Sequence, residues 1–436
     1  MTLWEKMKAS PLLGGKEGVI SLAVLAAIIF VILPLGVDIF RLNLIGKYLT
    51  YAFVAVGLVM LWGHGGILSL GQGIFFGLGG YAMAMFLKLE ASDPLSTKIQ
   101  STPGIPDFMD WNQITSLPWF WEPFKSLPFT ILAVLTIPAL FAYIIGYAMF
   151  KRRVGGVYFS IITQAVALIL SILIVGQQGY TGGVNGMTDL RTMLGWDIRS
   201  DSAKYILYFV NGLLLFAAIF LSKYIMSSKF GMLLLAMRDK EERVRFSGYD
   251  VSNFKIFIFC FAAMLSAVGG AMFTLQVGFM SPSFVGIVPS IEMVIFCAVG
   301  GRASLVGAVY GTLLVNYGKT VFSETYPEMW LFLMGGLFIA VVMFFPSGLA
   351  GIWDKYATKY GWFKDKAGSK ENGSAKKLEV STSKVEAQAV LTEISTETAL
   401  AIESTDVASK KTTRKAGAKE EKAPAIEGNK LRGAEA

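Results

Sequence analysis

The sequence predicts an all-α polytopic membrane protein of about ten transmembrane helices, some short or broken, with both termini on the cytoplasmic side. Three observations carry this reading. Apolar residues make up 54% of the 436 and charged residues only 16%, a balance foreign to soluble domains. Apolar runs near the length of about 20 residues that spans a hydrocarbon core recur along the chain. Lys and Arg gather in alternate loops, as the preference for basic residues on the cytoplasmic face requires.

Taken in order, the first run, 18–37, follows a short cytoplasmic segment 1–17 that carries Lys6, Lys8 and Lys16. It contains Pro34 and has no small-x-small cleavage site before Asp38, so it reads as an uncleaved helix rather than a signal peptide. Further runs fall at 45–62, 68–87, 129–150, 155–175, 204–223, 254–279, 285–300, 303–318 and 329–346. Several are short, which leaves room for one or two re-entrant segments within a transmembrane domain of 18–353. With the N-terminus inside, KRR at 151–153, the loop 229–255 and the chain after Lys355 also fall inside. The outer loop 88–128 is acidic: over 89–128, Glu90, Asp93, Asp107, Asp110 and Glu122 stand against Lys98 and Lys125. It also holds Phe108, Trp111, Trp119, Phe120, Trp121 and Phe124, which suit a membrane–water boundary or a docking surface. The tail 354–436 has no aromatic residue after Phe363 and mixes Lys, Glu, Ser and Thr. Such a composition buries too little apolar surface to offset chain entropy, so a disordered cytoplasmic tail is expected.

Several functions are unfavoured. The net charge of +8 sits largely in juxtamembrane loops and the tail, where it faces anionic membrane lipid rather than nucleic acid. His64 is the only histidine, and Cys260 and Cys297 both lie inside predicted spans, so no metal site is expected. The string GKT at 318–320 lacks the earlier glycine of a phosphate loop, because Leu313 occupies that position. No nucleophile–base pair can be assembled. Neither a catalytic residue nor a cofactor is therefore predicted.

The residues that stand out are those of a transport path. The run 62–86 includes Gly65, Gly66, Gly73 and Gly77 beside Ser69 and Gln72. Glycines at this density permit close helix packing, and they also permit a broken helix whose freed backbone groups line a polar path. A partial echo, GGRASLVGAVYG, places Gly300, Gly301, Gly307 and Gly311 in the second half. Glu292 is an intramembrane carboxylate, which by default faces a cavity or a partner, and Gln164 is a weaker candidate of the same kind. From Arg238 to Arg245 every residue but Val244 is charged, so the loop 229–255 stays out of the membrane and is placed to touch a cytoplasmic partner.

Three segments, LSLGQGIFFGLGGYAMAM (68–85), GMLLLAMRDKEERVRFSGYDVSNFKIFIF (231–259) and VGGRASLVGAVYG (299–311), occur in this order. With them the chain resembles the permease subunits of ABC importers in the branched-chain amino acid class. PDFMDWNQITSLPWFWEPF (106–124), GVYFSIITQA (156–165) and SIEMVIFCAVGGR (290–302) resemble the urea-type permease within that class. The resemblance covers about 45–350. It implies a bacterial inner-membrane protein working with a second homologous permease, two cytoplasmic ATPase subunits and an extracytoplasmic solute-binding protein. It also implies that Arg238, Asp239 and Glu242 meet an ATPase and that Gly248 ends their helix. Four features depart from the pattern: Gln72 stands where His is common and His64 where an aromatic is usual, TGGVNG (181–186) is looser than the family's GGNNG, and Ala303-Ser304 replace Gly-Thr.

The function expected is thus half of an ATP-driven path for urea or short amides. A small neutral polar solute would use hydrogen bonds from Ser69, Gln72 and Gln164, with Glu292 as acceptor. Branched-chain amino acids are the alternative cargo. A zwitterion calls for a separate cation for its carboxylate, and no intramembrane Lys or Arg is evidently placed for one. A stand-alone channel or secondary carrier is the more distant alternative.

Overall fold

A computed structural model describes residues 15–92 and 104–326, together with 328, 329, 332, 333, 335, 336, 339, 340, 343 and 348–351. The tail and most of the run 329–346 lie outside the described residues. Among the described residues seven helices are long and apolar enough to cross a membrane: α1 (Gly18–Gly36), α2 (Ile39–His64), α3 (Gln72–Ala91), α4 (Leu127–Phe150), α5 (Gly156–Gly176), α6 (Asp201–Ser227) and α8 (Val251–Val277). Between the last two lies α7 (Lys229–Phe246), the charged helix. The chain is a polytopic helical membrane protein.

The runs 285–300 and 303–318, expected as separate spans, form instead a bent pair. Helices α9 (Ile287–Gly300) and α10 (Leu305–Thr325) meet at 119°. Gly301, with φ +116°, turns the chain, and the Ser304 side chain caps α10 by accepting from Gly307 N–H at 3.0 Å. The arms fold back far enough that residues 27 apart in sequence, Glu292 and Lys319, form an ion pair. A hairpin of this kind satisfies its backbone internally while reversing inside the protein.

Helices α2, α3 and α8 form the centre, with α4, α6 and α10 packed around them. Small residues let α3 and α8 touch backbone to backbone. A Cβ on Gly270 would lie 1.8 Å from the Phe76 carbonyl oxygen, and one on Gly79 would lie 2.1 Å from that of Ala267. Such close approach replaces the hydrophobic drive that lipid does not supply. Phe76, Phe273 and Phe296 fill the space beside Tyr51.

The bundle has two distinct ends. At one, KRR and α7 lie together, and Lys151 pairs with Asp250 at 2.7 Å. Asp250 also caps α8 by accepting from Ser252 N–H at 3.1 Å. At the other end Lys88 is buried and bonds Asp107 at 2.8 Å and the Thr188 carbonyl at 2.9 Å. That pins the short helix Asp107–Trp111 and the 187–200 segment, with its two-residue hairpin, over α3. Trp121 Nε1 donates to the Tyr180 carbonyl at 3.0 Å, whereas Trp111 and Trp119 stay exposed.

Candidate functional site

Two constellations stand apart from simple packing, one near each end of the bundle. The first is a break in the helical path between α2 and α3. The last turn of α2, Val59–His64, is a π-helix, and residues 65–71 leave helical geometry before α3 begins at Gln72. Backbone groups freed by such a break need partners inside a membrane. Here α5 provides them: Ser160 Oγ donates to the Leu68 carbonyl at 2.7 Å, and Thr163 Oγ1 accepts from Leu70 N–H at 3.2 Å. On the far side Ser290 Oγ accepts from Gly73 N–H at 3.1 Å.

The expected path residues at this break are sealed in. Ser69 and Gln72 are fully buried. Ser69 Oγ accepts from Gly71 N–H at 3.4 Å, and Gln72 Oε1 accepts from Ser266 Oγ at 2.9 Å. Gln72 Nε2 has no partner among the described residues. Gln164 is half-buried on α5 and bonds none of these groups; its neighbours Ser160 and Thr163 hold the break instead. Gly73 and Gly77 lie against Val285, and Gly307 and Gly311 meet Gly300 across the hairpin. Gly65 sits on its own preceding turn, above Leu61.

Helix α7 reaches this break through one side chain. Arg238 Nη1 donates to the Gly63 carbonyl at 2.9 Å while its Nε bonds Asp239 at 3.0 Å. Gly66 lies directly beneath: its φ is +70°, and a Cβ there would stand 3.0 Å from Arg238 Cγ. The hairpin turn closes the same cluster, since a Cβ on Gly63 would fall 1.7 Å from the Arg302 carbonyl oxygen. The Arg302 guanidinium lies over the Trp62 ring at 5.7 Å, within cation–π range. Beyond Arg238 the helix kinks at Lys240 (φ −149°, ψ 86°). Its second part is tethered by Glu241, which bonds Arg245 at 2.8 Å and Lys255 at 2.6 Å. The helix ends at Phe246, and Gly248 takes φ +87° in the turn that follows. Glu242 is exposed on this helix. Lys151 beside Asp250 holds that carboxyl below its ordinary value.

The second constellation lies in the half of the bundle that holds the 187–200 segment. Glu292 accepts two bonds from Lys319 Nζ, at 2.7 and 2.9 Å. Lys47, on α2, is electrostatically coupled to both Glu292 and Lys319, and its Nζ stands 5.9 Å from the centre of the Phe273 ring. One turn before it, Asn43 Oδ1 accepts from Gln276 Nε2 at 2.5 Å. Tyr48 and Thr320 hydrogen-bond alongside. Helix α2, the end of α8 and both arms of the hairpin therefore bring two ammonium groups to one carboxylate. This corrects the expectation that no intramembrane cation is available. Lys47 sits inside a predicted span, and Lys319 is the lysine of GKT, a string first judged only as a failed phosphate loop. The pairing was hidden because it depends on the reversal at 301–304.

The fold is that of a polytopic helical membrane protein with seven or eight candidate spans among the described residues. The chain belongs to the family described as the permease component of the branched-chain amino acid transport system, whose profile matches residues 40–342. The high-affinity branched-chain amino acid permease protein LivM of Salmonella typhimurium is 23% identical over 321 residues, covering 69% of this chain and 67% of that protein. LivM of Escherichia coli is 24% identical over 335 residues, covering 72% and 69%. BraD of Pseudomonas aeruginosa, also a high-affinity branched-chain amino acid permease protein, is 21% identical over 317 residues, covering 69% and 92%. No solved structure matches the chain.

Proposed function

We propose that this chain is a permease subunit of an ATP-driven importer of the bacterial inner membrane and that its cargo is an amino acid of the branched-chain type. In this reading a second homologous permease completes the path, an extracytoplasmic binding protein delivers solute, and two ATPase subunits act on α7. The observation that carries the coupling role is the Arg238–Gly63 contact. A helix too charged to enter the membrane grips the place where α2 and α3 are interrupted and where the hairpin turns. A push on α7, with Arg238, Asp239 and Glu242 toward the ATPase, would move α2 and the α9–α10 hairpin together. Both elements run from that contact to the Glu292–Lys319 pair; Lys47 and Gly63 are roughly 24 Å apart along α2 at about 1.5 Å per residue.

For the cargo, the urea reading rested on the segments 106–124, 156–165 and 290–302 and on the apparent lack of an intramembrane cation. The relatives named above are branched-chain amino acid permeases, and two lysines lie beside Glu292, so the amino-acid reading is the better supported of the two. The deciding assay is uptake of labelled L-leucine and labelled urea by cells whose only copy of this permease is the full chain. Leucine uptake that collapses on ATP depletion with the membrane potential held, and that excess urea does not reduce, is the expected result. Urea uptake unaffected by leucine would return the cargo to urea, and uptake indifferent to ATP would reject the importer reading.

A further inference from the structure

We propose that the corner joining α4 to α5, residues 151–155, binds the phosphate headgroup of an anionic phospholipid, with Arg152 and Arg153 holding the phosphate. The site does not depend on the cargo, and it adds a lipid to the partners of this chain.

The corner is rigid before any lipid arrives. Phe150 is buried at the end of α4, and its ring stacks on that of Phe159, in the first turn of α5, with centroids 4.7 Å apart. The start of α8 holds the same corner: Ser252 Oγ donates to the Phe150 carbonyl at 3.1 Å, and Lys151 pairs with Asp250 at 2.7 Å. Of three consecutive cations, one is therefore already used. Arg152 and Arg153 are exposed, and among the described residues neither has an ion pair. Arg153 also takes φ +60°, a left-handed conformation in which glycine is the unstrained choice. A long charged side chain kept at such a position is evidence of a use for that side chain.

The surroundings of the two arginines fit a lipid. Helix α4 ends at Phe150 and α5 begins at Gly156, so this short corner joins two spans and its cations lie at the level of the headgroups. Beside them is an open notch. A Cβ on Gly155 or Gly156 would meet no described atom within 4 Å, which leaves room for a headgroup close to the backbone. Below the notch the two helices present apolar side chains outward: Val157 and Tyr158 are 72% and 74% exposed on α5, and Tyr143 and Tyr147 are stacked and exposed on α4. Acyl chains beneath a headgroup would cover that surface, whereas a soluble acidic partner would meet the arginines and leave it bare. Guanidinium suits phosphate because its planar fork gives paired hydrogen bonds, and basic pockets between spans at this level bind anionic headgroups. The bound lipid would steady α5, whose Ser160 and Thr163 hold Leu68 and Leu70 at the break.

The test is native mass spectrometry of the purified full chain titrated with phosphatidylglycerol or with phosphatidylcholine of the same acyl chains. The variants are Arg152→Gln/Arg153→Gln and Arg153→Gly. The second removes one cation where glycine suits the backbone, so it carries the test if the double variant fails to accumulate. Lys229→Gln is the control, because Lys229 is another exposed cation beside a span with no ion pair among the described residues. The expected result is a phosphatidylglycerol retained in preference to phosphatidylcholine. Its apparent affinity falls at least about tenfold in the double variant, falls less in Arg153→Gly, and is unchanged in Lys229→Gln. Equal retention of the two lipids, or an equal loss in Lys229→Gln, would show only diffuse attraction to negative charge and overturn the proposal. Full retention of phosphatidylglycerol by the double variant would overturn it too, and loss of ATPase subunits from that variant's complexes would then assign the corner to a protein contact.

Discussion

At the residue scale the structure explains which positions tolerate no side chain and which hold charge. Gly270 meets the Phe76 carbonyl so closely that an added Cβ would stand 1.8 Å away, and neither backbone can retreat without separating α3 from α8. Gly270→Val is expected to destabilise the fold by about 3 kcal/mol or more. The check is accumulation of the variant in membranes, where a normal level would remove the close contact from the account. Asp250 is a milder case. It is half-exposed, so its Lys151 pair and its cap are together worth about 1 kcal/mol or less after solvent screening. Because its carboxyl is held below 3.8, its contribution is complete above the ordinary carboxylate value and disappears as pH falls through the lowered one. The thermal midpoint of Asp250→Asn in detergent is accordingly expected to trail the wild type slightly at neutral pH and to converge with it in strong acid. A gap that widens on acidification would contradict this.

At the element scale the informative pieces are α7 and the α9–α10 hairpin, because they interrupt an otherwise regular bundle. Helix α7 touches the break through Arg238, and the hairpin turn reaches the same spot through Arg302. Arg238→Ala keeps α7 attached through Glu241 and Lys255 but removes its grip on Gly63. The expected phenotype is loss of most solute uptake, by about tenfold or more, with ATP hydrolysis by the assembled complex retained; this is measured by assaying both in the same reconstituted vesicles. Unchanged uptake would assign Arg238 to local packing. These elements also show what a sequence can and cannot reveal. The charged run 238–245 and the glycines of 62–86 were legible because each states a physical constraint by itself, no entry into hydrocarbon in one case and a weakened helix in the other. The hairpin was not, because 285–300 and 303–318 each have a span's hydropathy, and their reversal depends on Gly301 and the Ser304 cap. Lys319 became readable as a partner of Glu292 only once that reversal was known. Gln164 was singled out for being polar in an apolar run, yet the helix turn presents Ser160 and Thr163 to the break.

At the scale of the whole molecule, the fold joins two distant sites through rigid elements. Helix α2 and the hairpin each have one end at the Arg238 contact and carry part of the charged cluster farther along. That arrangement is what a permease needs if hydrolysis on a separate subunit is to change access to solute, since two packed elements that share both sites bias them together. The membrane-embedded part holds few charges, and Glu292 and Lys319 pair within the hairpin arms of this lever. Membership of the permease family fits the same picture.

The central claim is that α7 is the handle by which separate ATPases drive this subunit. The most direct measurement is a mild-detergent pull-down of the tagged full chain from native membranes, with partners identified by mass spectrometry, for the wild type and for Arg238→Glu/Asp239→Lys. Two ATPase subunits and a sister permease with the wild type, and loss of the ATPases but not the sister permease with the variant, are the predicted results. Recovery of the chain alone, or of the ATPases equally with both proteins, would contradict the account.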